Sequence, residues 1–150
     1  EANPSLKPAQ VKEILMTTAD PLNDAPAERQ GAGAINAGRA VAVALRMSGG
    51  LLQGIPISPH IAPREIAFYY YDPVAKDVTL VGSFNDWQTK ECEMVQIRPG
   101  LWEGTIDTPR RGTYYYKFVI DRSRWINDPE NPLRIEDGFG GFNSLITIDR

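Results

Sequence analysis

Apolar and polar positions follow two different periods along this chain, and the change of period divides it into two parts. In the first part, apolar side chains recur at helical spacing from Val11 to Ala19, and the run ends where Asp20 precedes a proline. A second helix is predicted from Asn36, whose side chain can cap free backbone amides, to Ser48. The first part of the chain is therefore predicted to contain two short helices.

From residue 64 onward the period becomes two, which is the spacing of β-strands that bury one face. The alternation places Tyr116 and Phe118 on the face toward the core and Lys117 on the opposite face. Turn residues separate the strands every ~8–12 residues, which is typical of a β-sandwich. The predicted strands are Glu65–Tyr71, Val78–Val81, Met94–Ile97, Leu101–Ile106, Thr113–Ile120 and Ser144–Ile148.

Aromatic side chains are confined to the second part of the chain. All 14 of them (5 Phe, 3 Trp and 6 Tyr) lie at or after Phe68 in the 150-residue sequence. Because large aromatic side chains dominate burial in a small core, the first part cannot form a core of the same kind. We predict a helical piece over residues 1–48, a proline-containing linker over 49–63 and a β-sandwich over 64–150. The predicted fold class is mainly β, with two short α-helices before the sandwich.

The charge balance and the scarcity of cysteine and histidine exclude several classes of partner. Lys and Arg number 16 against 19 Asp and Glu, whereas a nucleic-acid surface needs a clustered basic excess. No run approaches the ~20 apolar residues of a membrane helix, and the opening Glu-Ala-Asn-Pro lacks a signal-peptide pattern. Cys92 and His60 are single, which excludes an intrachain disulfide, a thiolate zinc site and a multi-histidine site. No metal and no cofactor is predicted.

The sequence predicts no catalytic site. It has no Gly-x-Ser-x-Gly elbow, and His60 falls in the predicted linker, where nothing fixes it beside a nucleophile. The carboxylates available for a glycosidase-like pair are Asp86, Asp128, Glu136 and Asp137. Aspartates in such turn sequences also bond the local backbone, and this second interpretation is favoured.

Two of the three tryptophans are predicted to lie in loops. Trp87 ends a run of turn residues after one strand, and Trp125 lies just past the end of another, whereas Trp102 lies within a strand. An indole face held in water is unfavourable without a partner, and a sugar ring offers a flat C–H face that can stack on it. The alternative is that both loop indoles fold back and close the ends of the sandwich. The residues alone leave both interpretations open.

Several motifs in the second part resemble the glycogen-binding modules, which are the family 48 carbohydrate-binding modules. They are residues 78–87 (VTLVGSFNDW), 100–103 (GLWE) and 112–121 (GTYYYKFVID), followed by Trp125, 128–132 (DPENP) and 138–144 (GFGGFNS). Such modules occur in the β subunit of AMP-activated kinase, in isoamylases and in branching enzymes. The resemblance covers residues 64–149 and implies an immunoglobulin-like sandwich of the early-set type that binds α-glucan.

The same resemblance implies roles for five side chains. Trp87 and Trp125 match two stacking platforms, and Lys117 matches a lysine that binds sugar hydroxyls. Asn143 matches an asparagine that hydrogen-bonds sugar, and Phe139 stands where the kinase modules place a leucine that enters the glucan ring. Those modules have a threonine two residues before that asparagine, and this chain has a glycine there, so one contact is missing.

The first part of the chain resembles the end of a subtilisin-like serine protease domain. The matching residues are 3–15 (NPSLKPAQVKEIL) and 30–41 (QGAGAINAGRAV). The Gly-Thr-Ser-Met-Ala nucleophile motif that precedes them in that family is absent, so no catalytic residue transfers and this chain is not predicted to be an enzyme. The resemblance implies that the parent protein is a subtilisin-like endopeptidase.

The leading hypothesis is a non-catalytic module that tethers such a protease to α-glucan or a related polysaccharide. The alternative is a sandwich that has lost sugar binding and stabilises or orients the protease, or binds another protein. Expected partners are the glucan, the rest of the subtilase domain and a second copy through the N-terminal helices, but not nucleic acid or a membrane. The protease resemblance also implies an extracellular or cell-envelope location.

Overall fold

The computed structural model describes residues 3–20, 22, 31–47 and 50–149 of the chain. The chain divides into two compact units between Ile55 and Pro56. Most of the loop predicted between the two helices, and Ser48 at the predicted end of the second, lie outside the described residues. None of the described helices has the length and hydrophobicity that a membrane crossing requires.

The first unit contains both predicted helices, α1 at Pro8–Thr17 and α2 at Ala37–Arg46. Asn36 caps α2 as predicted, because its side-chain oxygen accepts a hydrogen bond of 2.9 Å from the Arg39 backbone N–H. Arg39 also forms an ion pair with Asp20 at 3.1 Å. The buried side chains through which the helices pack are Ile14, Ala40 and Ala44.

The second unit is a mainly β, immunoglobulin-like sandwich of two antiparallel sheets, as predicted. Its strands are β1 His60–Ile61, β2 Glu65–Tyr71, β3 Val78–Gly82, β4 Val95–Arg98, β5 Leu101–Asp107, β6 Gly112–Ile120, β7 Arg124–Ile126, β8 Arg134–Glu136 and β9 Phe142–Ile148. One sheet has the order β1-β2-β5-β4. The other has the order β3-β6-β9-β8, and β7 pairs with β6. The six predicted strands all form, within a few residues of their predicted bounds.

Strand β6 is central to the second sheet and determines which side chains face outward. It pairs with β3 along one edge, and along the other it pairs first with β9 and then with β7. Tyr116 and Phe118 are fully buried in the core, so the strand period turns Lys117 to the opposite face, as predicted. Further core side chains from both sheets are Phe68, Leu80, Trp102, Ile120 and Ile146.

The start of the sandwich differs from the prediction of a linker over residues 49–63. His60 and Ile61 form β1, which pairs with β2, so this part of the predicted linker lies in the first sheet. Ser58 is buried as well, and its hydroxyl donates a hydrogen bond of 2.6 Å to Asp128. A two-residue strand is too short to show a period, so only its distant partners define it.

Asp128 is the centre of a buried polar network instead of a simple turn residue. Its carboxylate accepts a hydrogen bond of 2.9 Å from the Glu130 backbone N–H, which is the local bond that a turn predicts. It also accepts from the hydroxyls of Ser58 and Tyr116, at 2.6 and 2.8 Å. Burial, the largest cause, raises the pKa of Asp128 to about 6. The network ties the segment after β7 to β6.

Candidate functional site

An open cavity of about 200 Å³ lies on the sheet that contains β6, and we call it the aromatic cavity. Its lining residues are Trp87, Lys117, Trp125, Asp137, Phe139 and Asn143. All five sequence-predicted sugar-binding residues therefore lie at one place, and Asp137 is an addition. Trp125 is 44% exposed and Phe139 is 96% exposed, while Trp87, Lys117 and Asn143 are partly buried.

The two tryptophans that the sequence placed in loops lie outside the hydrophobic core. Trp102 lies in strand β5, as predicted, and is buried in the core cluster, whereas Trp87 and Trp125 are not members of that cluster. Both line the aromatic cavity instead. The alternative in which these two indoles close the ends of the sandwich therefore does not describe this structure.

A tight turn after β3 holds Trp87 at the aromatic cavity. The Asn85 side-chain oxygen accepts from the Gly82 N–H at 2.9 Å, and the Gly82 carbonyl accepts from the Trp87 N–H at 2.9 Å. Residue 82 must be glycine, since an added Cβ would lie 2.5 Å from the Tyr115 carbonyl oxygen. Asp86 and Trp87 both adopt left-handed backbone, with φ of 51° and 59°. That conformation is unfavourable for a tryptophan, and the turn imposes it.

Trp125 lies in the short strand β7, whereas the sequence placed it in a loop. It pairs with Val119 of β6, across a turn in which Asp121 and Arg122 have positive φ. Because Lys117 and Val119 are two positions apart, they share one face of β6. The hairpin therefore places the indole on the same side of the sheet as the Lys117 ammonium, and strand pairing fixes its backbone.

An ion pair between Lys117 and Asp137 forms one wall of the aromatic cavity. The Lys117 Nζ donates to the Asp137 Oδ2 at 2.5 Å, and the two side chains are only 12% and 9% exposed. The hydrogen bond from Lys117, followed by two backbone N–H groups, lowers the pKa of Asp137 to about 2. The carboxylate is therefore ionised at neutral pH, and the ammonium keeps two further protons for other acceptors.

Asp137 also shapes the loop that presents Phe139. Its Oδ1 accepts from the backbone N–H groups of Phe139 and Gly141, at 2.8 and 3.0 Å. An added Cβ at Gly141 would lie 2.9 Å from the Asp137 Oδ2. The glycine that replaces the threonine of the kinase modules thus leaves room for this carboxylate. Sequence reasoning weighed Asp137 as part of a glycosidase-like pair or as a turn residue and favoured the turn. It missed the ion pair, because that contact joins the loop after β8 to β6 and depends on the fold.

The aromatic cavity offers both apolar faces and hydrogen-bond donors to a ligand. Its two indoles and the Phe139 ring offer apolar faces, and Lys117 and Asn143 offer donors. The low pKa of Asp137 leaves no proton for general acid catalysis. Burial raises the pKa of the Cys92 thiol, and the described residues include no group of three metal-ligating side chains.

Comparison with known proteins gives a family match over the second unit. The model of the family described as carbohydrate-binding module 48 (isoamylase N-terminal domain) matches residues 56–135. This range includes Trp87, Lys117 and Trp125, whereas Phe139 and Asn143 lie beyond it. It starts at the unit boundary seen in the structure. It does not extend over residues 1–55.

Relatives of known identity match parts of this chain. A 1,4-alpha-glucan branching enzyme (GlgB) of Lactobacillus acidophilus is 41% identical over 56 residues, which are 37% of this chain and 8% of that protein. The β-2 subunit of human 5′-AMP-activated protein kinase is 32% identical over 75 residues, 50% of this chain and 26% of the subunit. The match thus spans about a quarter or less of each relative's length.

A solved structure shares the fold. The enterobactin esterase FES from Shigella flexneri aligns with a TM-score of 0.51 and 17% identity, over 65% of this chain and 34% of the esterase chain. At that identity the likeness concerns the fold of the chain and not its ligand.

Proposed function

Because this chain belongs to the carbohydrate-binding module 48 family, we propose that its sandwich is a non-catalytic module that binds α-glucan at the aromatic cavity. One observation carries this choice of site. Trp87 lies 30 residues before Lys117 in the sequence, yet it lines the same open cavity as Trp125 and the Lys117 ammonium. Stacking on the rings supplies apolar contact, and the ammonium and the Asn143 amide bind hydroxyls.

The choice of α-glucan as ligand is also supported by the relatives. One of them is named a 1,4-alpha-glucan branching enzyme. The sandwich of this chain keeps apolar rings beside an ammonium that the Asp137 carboxylate neutralises, which suits a neutral polyhydroxyl chain better than a charged ligand. Affinity is expected to be modest, because an open surface of this size buries little area.

Within a longer protein, the module would concentrate its parent on polysaccharide. We propose a subtilisin-like serine protease as that parent, a proposal that rests on the resemblance of residues 3–15 and 30–41. An extracellular or cell-envelope location would follow from the same parentage. The segment that contains the two helices allows this protease parentage to be tested. If the parent is such a protease, residues 1–48 fused behind a subtilisin-like domain that lacks its own last helices will restore its folding.

The glucan proposal is tested by isothermal titration with maltoheptaose and by retardation in a glycogen gel. Trp87→Ala and Trp125→Ala are each expected to weaken binding about tenfold or more, because each removes a stacking face. Both variants should unfold at nearly the wild-type temperature, since neither indole is part of the core. Tyr71→Ala removes an aromatic ring from the other sheet and is the matched control.

Two results would contradict this proposal. If both tryptophan variants bind as wild type does, the ligand site lies elsewhere. If the wild-type protein itself binds no maltoheptaose and is not retarded, the sandwich has lost sugar binding. The second result favours the role of a structural or protein-interaction module, for which the missing threonine contact at Gly141 already provides a reason.

A further inference from the structure

A second and larger cavity adjoins the aromatic cavity, and we call it the side cavity. Its volume is about 470 Å³, within the range of ~300–1,000 Å³ that is typical of ligand sites. Its lining residues are Asp77, Val78, Thr79, Thr89, Lys90, Glu93, Met94, Val119, Arg122 and Trp125. The known motifs of the chain assign no role to the polar members of this set.

The two cavities adjoin along three elements. Trp125 lines both of them. On the floor, Lys117 of the aromatic cavity and Val119 of the side cavity are successive outward positions of β6, about 7 Å apart. On the wall, the segment that presents Trp87 continues two residues further to Thr89. A chain that leaves the aromatic cavity past the Trp125 ring therefore enters the side cavity.

The charges of the side cavity suit a neutral ligand with many hydroxyls. The lining contains two cations, Lys90 and Arg122, and two carboxylates, Asp77 and Glu93, so its formal charge is zero. A site for an anionic ligand has an excess of cations, and a site for a metal ion has an excess of carboxylates. Hydroxyl groups both donate and accept, and a lining with both kinds of partner matches them.

One acceptor in this cavity has no hydrogen-bond partner among the described residues. The Asp77 Oδ2 faces the Arg122 Nε at 3.3 Å. The Asp77 Oδ1 is buried from solvent and accepts no hydrogen bond from any described residue. A buried carboxylate oxygen without a donor is unfavourable, and native structures rarely leave one unexplained. The Asp77 side chain as a whole is 40% exposed, so a rotation of its carboxylate would present this oxygen to a ligand hydroxyl in the side cavity.

We infer that the side cavity is a second glucan subsite, which takes the glucosyl residues that follow the one stacked on Trp125, with Asp77 accepting from a sugar hydroxyl. The inference rests on the proposed function and extends it. It makes the module selective for longer α-glucan chains, because a short oligosaccharide fills the aromatic cavity alone. Chain length is thus the property that separates this subsite from the first.

The experiment compares maltotriose with maltoheptaose by titration calorimetry. Wild type is expected to bind maltoheptaose about tenfold more tightly than maltotriose. A single additional hydrogen bond to a charged acceptor accounts for a difference of this size. Thr89→Tyr places a ring across the side cavity from an exposed position. It should leave maltotriose affinity unchanged and reduce the tenfold preference to about twofold or less. Thr105→Tyr, the same change at an exposed position of the other sheet, should keep the full preference.

Backbone amide shifts in NMR spectra give a second, independent measurement on the unaltered protein. Maltoheptaose should shift the amides of Thr79 and Thr89, and maltotriose should leave them in place. The inference is overturned if Thr89→Tyr keeps the tenfold preference, or if maltoheptaose binds without shifting either amide. Binding of both sugars with equal affinity overturns this inference alone, whereas no binding of either sugar overturns the proposed function as well.

Discussion

Asp137 is the residue that joins separate parts of the candidate site. One carboxylate oxygen holds the Lys117 ammonium of β6, and the other holds the backbone of the loop that presents Phe139. Gly141 contributes a further N–H and leaves the space that the carboxylate occupies. A charged acceptor with three donors is strongly stabilised in its ionised form, in agreement with its lowered pKa. We therefore expect Asp137 to be a positioning residue for Lys117.

Asp137→Asn tests this role, because the amide oxygen can still accept from the loop while the charged partner of Lys117 is lost. The variant should weaken maltoheptaose binding by on the order of tenfold. In a Lys117→Met background the same change should have almost no further effect, since the two residues act as a unit. Calorimetric titrations of the four proteins measure this coupling. Glu136→Gln, at the neighbouring exposed carboxylate, is the control.

An equal loss of affinity in both backgrounds would contradict the positioning role. Asp137 would then act on the ligand directly or through the loop of Phe139.

Asp128 makes the stability of the sandwich depend on pH. Its pKa is about 6 in the folded protein and about 3.9 in an unfolded chain, so the folded state binds the proton more tightly. Its contribution to the free energy of unfolding is therefore fully present below about pH 4 and is lost as the pH rises through about 6. Asp128→Asn has no such proton to lose.

Between pH 4 and pH 7, wild type should lose on the order of 2 kcal/mol of unfolding free energy relative to Asp128→Asn. Urea unfolding of both proteins at several pH values within this range measures the difference. Parallel pH profiles would show that the carboxylate is not titrating in that range.

Among the elements, the long strands were predictable and the short ones were not. The alternation in β6 identified its buried face and the outward position of Lys117 from the sequence alone. Strands β1, β7 and β8 have two or three residues each, which is too few for a period. Their positions depend on pairing with β2, β6 and β9, and Trp125 was therefore assigned to a loop instead of a strand.

The candidate site was also predictable from the sequence only in part. The types and order of Trp87, Lys117 and Trp125 predicted a shared surface, because their motifs resemble a known family. The ion pair of Asp137 could not be predicted, since it depends on how β8 and β9 bring its loop to β6. The side cavity was also missed, because no motif assigns a role to its polar lining residues, which lie together only in the folded chain.

At the scale of the whole molecule, the two units differ in the size of their cores and in whether a known family matches them. Residues 56–149 form a sandwich with a large aromatic core, and the family match lies entirely within them. The cluster in residues 1–55 is small, and Val11 and Val41 beside it are 41% and 38% exposed. The central claim therefore concerns the sandwich, and the protease parentage of the first unit stays a prediction.

The most direct measurement of the central claim follows the indole Nε1–H resonances of the three tryptophans during a titration with maltoheptaose. Two of these indoles line the aromatic cavity and the third, Trp102, lies in the core, so the protein contains its own control. The resonances of Trp87 and Trp125 should shift together along one binding curve while that of Trp102 stays in place. A titration that leaves Trp87 and Trp125 unmoved, or that shifts only one of them, would contradict binding at a shared site.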